Sequence, residues 1–95
     1  LEKLSLTYWK EVADYLTDRG IDKAPFHKST IGFIRTLSWK GGFKGQNEKQ
    51  RKWILDLMKA DKKGFGVSTI FNNDFLKVKG LEKDYILINK FYECL

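Results

Sequence analysis

The chain is poor in the residues that build catalytic and covalent chemistry. It has one cysteine, Cys94, so no internal disulfide can form. A lone thiol fits a reducing compartment, and the expected localisation is cytoplasmic. It has one histidine, His27, sixty-seven positions from Cys94. No Ser-His or Cys-His pair can be read from that, nor a metal-ligand spacing. The expectation is a protein that is not an enzyme and holds no metal or cofactor. There is one proline, Pro25, and no low-complexity run or internal repeat. The longest uncharged run covers only residues 64–73, far short of the ~20 apolar residues of a membrane span. No membrane partner is expected. The first residues lack the charged-then-apolar pattern of a signal peptide. A start at Leu1 rather than Met reads as a trimmed or processed chain, or as a piece of a longer one.

What is present is positive charge in one place. Ninety-five residues make a single domain, with 42% hydrophobic and 15% aromatic content to fill a core. The net charge of +6 is unevenly spread. Residues 25–63 hold ten of the eighteen bases and three acids, for a charge of +7. Residues 1–24 carry −1 and residues 64–95 carry none. Such a segment predicts a basic surface that attracts anions. Fifteen of the bases are Lys; Arg19, Arg35 and Arg51 are the exceptions. Lysine is a hydrated point charge, whereas arginine offers a fork for bases and phosphates, so contact without base reading is expected.

Apolar spacing divides the chain into elements. Leu6, Trp9, Val12, Ala13 and Leu16 predict a helix over residues 6–19, capped by Ser5 or Thr7 and closed by Gly20. Ile31, Ile34 and Leu37 predict a second over 29–40, capped by Ser29 or Thr30 and stopped by Gly41-Gly42. Gln50, Trp53, Ile54, Leu57 and Met58 predict a third over 47–60 with Asn47 as its cap. Residues 65–71 and 75–79 then read as strands joined at Asn72-Asn73, followed by a turn over 80–84 and an apolar run over 85–88. The expected fold class is α+β, three helices followed by a small β-hairpin or sheet. A winged helix has this order, with the third helix in the major groove and Asn72-Asn73 as the wing tip. A helix through 68–77, and with it a mostly α fold, is the alternative.

Candidate functional residues cluster in the basic segment. Lys40, Lys44, Lys49, Arg51, Lys52, Lys62 and Lys63 are the expected phosphate contacts, with Arg35 and Trp39 in support. Arg35 and Trp39 lie one turn apart, so the guanidinium is expected over the indole, while Trp9 and Trp53 belong to core faces. The loop 41–45 resembles a phosphate cradle but lacks the Gly-Lys-Ser/Thr ending of a Walker A loop. It reads as a flexible interhelix turn; the alternative is a basic loop whose backbone N–H groups, with Lys40 and Lys44, meet a phosphate backbone. Glu48–Lys52 and Lys52–Asp56 are expected i,i+4 pairs, and Asp14/Asp18 and Glu82/Asp84 read as solvated acids.

The string Phe33-Ile34-Arg35-Thr36-Leu37, then Gly42, Asn47-Glu48-Lys49-Gln50, Trp53-Ile54-Leu55 and Met58, resembles a pattern in small phage- and plasmid-encoded accessory proteins. Some of those handle DNA. The resemblance covers residues 33–58 in the middle of the chain and transfers no catalytic residue. The expected partner is nucleic acid, DNA or RNA, bound through five or six phosphates with a log–log salt slope of about −4 to −5. The rival expectation is a protein-interaction module, such as a phage-encoded inhibitor or adaptor, docked on an acidic partner. Trp39, Phe43 and the aromatic tail at Phe91 and Tyr92 would be its anchors.

Overall fold

A computed structural model describes residues 1–64 and 69–95. Within them the chain forms α1 (Leu6–Asp18), α2 (Lys28–Leu37), α3 (Glu48–Lys62), the single turn α4 (Phe75–Val78) and α5 (Glu82–Cys94). The core is one cluster drawn from every helix, with Tyr8, Trp9, Phe26, Phe71, Ile54, Leu76 and Ile88 fully buried.

The first three helices form where periodicity places them, and their ends follow from side chains. Ser5 Oγ accepts the Tyr8 N–H at 3.1 Å. At the other end Gly20, at φ 65°, donates its N–H to Thr17 O, and Ile21 donates to Leu16 O. That is the Schellman closure a glycine at C′ permits. Asn47 and Gln50 exchange backbone and side-chain hydrogen bonds in a full capping box. Three details depart from the spacing argument. The second helix starts at Lys28, behind His27, and Thr30 is buried rather than capping. It ends at Leu37, leaving Trp39 and Lys40 in the turn that follows. Tyr8 is fully buried, whereas Leu6 is 47% exposed.

The expected β-hairpin is overturned. Among the described residues the only β pairing is an isolated bridge, Lys23 with Phe26, in the connector whose Ala24–Pro25 peptide is cis. The domain is helical, as the mostly-α alternative had it, and the described residues form neither a wing nor a winged-helix arrangement. Part of the first expected strand, residues 65–68, lies outside the described residues. The rest is a turn, and buried side chains make it so. Asp61, in the last turn of α3, accepts the N–H groups of Ile70 and Phe71 at 2.9–3.1 Å. Asn73 then accepts the Phe75 N–H at 3.1 Å and donates to Thr69 O at 2.9 Å. Its side chain starts α4 instead of a hairpin, since Asx side chains serve both turns equally well. The apolar run 85–88 belongs to α5, whose buried line is Asp84, Ile88 and Tyr92 at steps of four.

Ring contacts and buried polar groups fix the helices to one another. Phe33 of α2 stacks on Trp53 of α3, centroids 4.1 Å apart. Tyr15 of α1 stacks on Phe75 of α4 at 4.2 Å. Asp84 accepts both the N–H and the Oγ–H of Ser5 at 2.8 Å, joining the start of α5 to the start of α1. Asp84 is therefore buried, not solvated. Tyr92 donates to Asp61 at 2.6 Å, and Tyr8 donates to Phe71 O at 2.7 Å. Burial and the Asp61 carboxylate push the Tyr92 phenol up, so it stays a donor. Burial raises the Asp61 carboxyl above its usual range, although its hydrogen bonds from Tyr92, Ile70 and Phe71 pull the other way.

Candidate functional site

The basic side chains fall into two groups, those committed to the frame and those left over. Arg35 donates to Asp14 Oδ1 at 2.6 Å and to Thr17 Oγ1 at 3.2 Å, riveting α2 to α1. Its guanidinium is engaged there and not with the Trp39 indole. Asp14 also takes Lys10 at 3.0 Å, and the Arg35 guanidinium holds its carboxyl below the usual range. Lys62 donates to Tyr92 O at 2.6 Å, where a cation suits the carbonyl end of α5. Lys63 stands at the far end of α3, fourteen residues and about 21 Å from Lys49 at the rise of a helix.

The remaining expected contacts come together around one loop. Gly41 and Gly42 adopt φ 79° and 66°, turning the chain back after α2. A Cβ on Gly45 would sit 2.0 Å from Lys40 O, so the loop closes on itself only with glycine there. Gln46 is its internal clamp: buried, it donates Nε2 to Lys40 O at 3.2 Å and to Gly42 O at 3.1 Å. Its own carbonyl accepts Arg51 Nε at 2.9 Å. The clamp ties the loop carrying Lys40 and Lys44 to the first turns of α3, which carry Lys49 and Lys52. Arg51 serves as a strut in this arrangement.

Between loop and helix runs a groove of about 800 Å³ lined by Phe43, Asn47, Glu48, Lys49, Arg51, Lys52 and Leu55. Phe43 and Leu55 are partly buried, while Lys40, Lys44, Lys49 and Lys52 are exposed. None of these four lysines makes an ion pair or side-chain hydrogen bond with another described residue. The expected pairs Glu48–Lys52 and Lys52–Asp56 do not form. Glu48 is the one acid in the lining. The capping box occupies the backbone N–H groups of Asn47 and Gln50, so the cations are the site's main resource for an anion.

The aromatic side chains sort differently from the expectation. Trp9 is core, with its indole N–H unpartnered among the described residues and beside Gly42. Trp53 is 40% exposed rather than core, because its ring lies flat on Phe33 at the helix edge. Trp39 is 61% exposed. Phe91 and Tyr92 do not form a free tail: Phe91 is half-buried and Tyr92 is in the core. His27 sits before α2 with its Nδ1 3.3 Å from Asp22. No group of three or more His, Cys, Asp or Glu side chains among the described residues is placed to hold a metal ion, and no helix among them is long and apolar enough to cross a membrane.

Comparison with protein-family models, with curated proteins and with solved structures finds no match.

Two features of the site carry little signal in the sequence. Phe43 is expected as an anchor for a protein partner, and its place beside Leu55 in the groove lining is not written in its neighbours. Gln46 shows nothing beyond lying one residue ahead of the cap, and its role depends on where the Lys40 and Gly42 carbonyls converge.

Proposed function

We propose that this chain is a small non-enzymatic nucleic-acid-binding protein that grips the phosphate backbone with little base reading. The observation that supports this most directly is the set Lys40, Lys44, Lys49 and Lys52. These are exposed cations without a partner among the described residues, gathered on one clamped loop and the adjoining turns of α3. Cations already satisfied by carboxylates have no counterions to exchange, whereas free ones release theirs when they meet phosphates. Arg35 and Lys62 act in the frame and stand outside this reading. Trp39, exposed beside Lys40, flanks it.

The test is the triple charge reversal Lys44→Glu, Lys49→Glu and Lys52→Glu. All three side chains are solvent-facing, so the variant should melt as the parent does and lose nucleic-acid binding. Unchanged affinity in a folded triple variant refutes the reading.

A second reading rests on a different face. Ile86 and Leu87 of α5 are 53% and 36% exposed, with Lys83 and Lys90 about one turn to either side. An apolar pair between cations suits an acidic protein partner. Capture of one specific protein, lost in Ile86→Ser/Leu87→Ser and retained in the triple lysine variant, would support it.

A further inference from the structure

Phosphate contact alone does not choose between one strand and two, but the shape and chemistry of the groove do. Resting on the nucleic-acid reading above, we infer that the groove between the loop and α3 takes an unstacked base of a single strand against Phe43 and Leu55. Lys44, Lys49 and Lys52 hold the flanking phosphates. The volume of about 800 Å³ lies in the range of small-ligand pockets, about 300–1,000 Å³. The apolar part of the lining is an aromatic ring and a branched aliphatic side chain, neither of which has a donor or acceptor for a base edge. It matches a base face. In a duplex those faces are covered by neighbouring bases, and only edges and phosphates are offered. In a single strand every base has a free face, and stacking on an aromatic ring tolerates any sequence.

The rest of the lining points the same way. Arg51 commits its Nε to Gln46 O and keeps only its Nη donors for a ligand. Asn47 Oδ1 is spent on the Gln50 N–H. Lysines meet phosphates without demanding a particular base. The Gln46 clamp holds Phe43 and Lys44 in place before any ligand arrives, so the ordering cost of binding is low.

The experiment titrates the 95-residue chain with three labelled probes at two salt concentrations. They are a mixed-sequence strand of about 12 nucleotides, within the site sizes of single-strand binders, the same strand with abasic sites throughout, and its blunt duplex. The expected order is strand tightest, with the abasic strand weaker by about 5- to 150-fold, the span of one stacked base. Phe43→Ala should erase that difference while keeping the salt slope. Should Phe43→Ala fail to fold, Phe43→Leu keeps an apolar filler and should still bring the strand towards the abasic affinity. Equal binding of strand and abasic strand, with a steep salt slope, overturns the base-stacking inference and leaves phosphate binding standing. A duplex bound more tightly than the strand overturns it as well. No binding of any probe at low salt overturns both, and binding of poly-glutamate in that case transfers the basic face to an acidic protein.

Discussion

Asp61 is the residue whose loss should hurt this fold most. It is fully buried, and no cation among the described residues pairs with it. Its two oxygens serve three donors: Ile70 N–H, Phe71 N–H and Tyr92 O–H. Asp61→Ala orphans all three in the core. Each unsatisfied buried group costs about 1–3 kcal/mol, partly offset because the carboxylate no longer has to be desolvated. The expected net loss is about 3–5 kcal/mol, or a fall in Tm of about 15–25 °C for a domain this size. Asp61→Asn keeps an acceptor for the two amides and removes the buried charge, so it should cost less than half as much. The two variants also separate by pH. The folded-state pKa is raised above 3.8, so between those values the native state keeps a proton that the unfolded chain has released. Stability from this group is complete below 3.8 and is lost as pH rises through the folded value. Wild type should therefore gain stability when acidified from neutrality towards about pH 4, and Asp61→Asn should not. Asp14 acts in the opposite direction, because its lowered pKa removes stability only below its ordinary range. Thermal melts by circular dichroism over that pH series measure both effects. An Asp61→Ala melt within about 4 °C of wild type, or identical pH profiles for wild type and Asp61→Asn, would refute the account.

Tyr92→Phe removes one donor from the same carboxylate. It should cost about 1.5–3 kcal/mol in a chemical-denaturation titration and steepen the acid-side gain in stability, since a bond that lowers the Asp61 pKa is gone. Gln46→Ala deletes no charge but frees the loop, so nucleic-acid affinity should fall several-fold with the salt slope preserved, as read by fluorescence titration. Gly32 lies mid-helix in α2, and a Cβ added there would meet no atom within 4 Å. Gly32→Ala should therefore raise stability by about 0.5–1 kcal/mol, measured as a shift in the denaturation midpoint.

How much of this was legible depended on whether a residue's role is local. α1 and α3 could be read because their apolar stripes and caps lie within one turn of each other: Ser5 with Tyr8, Asn47 with Gln50. The C-terminal third could not. Asn72-Asn73 followed by Phe75, Leu76, Lys77 and Val78 satisfies a hairpin template as well as a helical start. The deciding groups are Asp61, nine and ten residues upstream of the amides it binds, and Tyr92, thirty-one residues downstream. Asp61 continues the spacing of Ile54, Leu57 and Met58, but a carboxylate on an apolar face is ordinarily read as the end of a helix. Within the candidate site, charge clustering was visible and its division was not. Whether a cation is free depends on carboxylates and carbonyls distant in sequence, such as Asp14 for Arg35 and Tyr92 O for Lys62.

That division changes the expected size of the electrostatic effect. The eight expected basic contacts, taken together, suggest five or six neutralised phosphates. Arg35 and Lys62 hold helices together, Arg51 braces the loop, and Lys63 stands at the opposite end of α3 from the groove. Four lysines remain, and four contacts give a salt slope of about −3 on a single strand, against about −3.6 on a duplex. A slope near about −5 would require Lys59 and Lys63 to join, which only a ligand lying along the whole outward face of α3 could achieve. The slope thus reports the path of the strand. A value near about −3 confines it to the loop and the first turns of α3, over the groove in which Phe43 offers its ring.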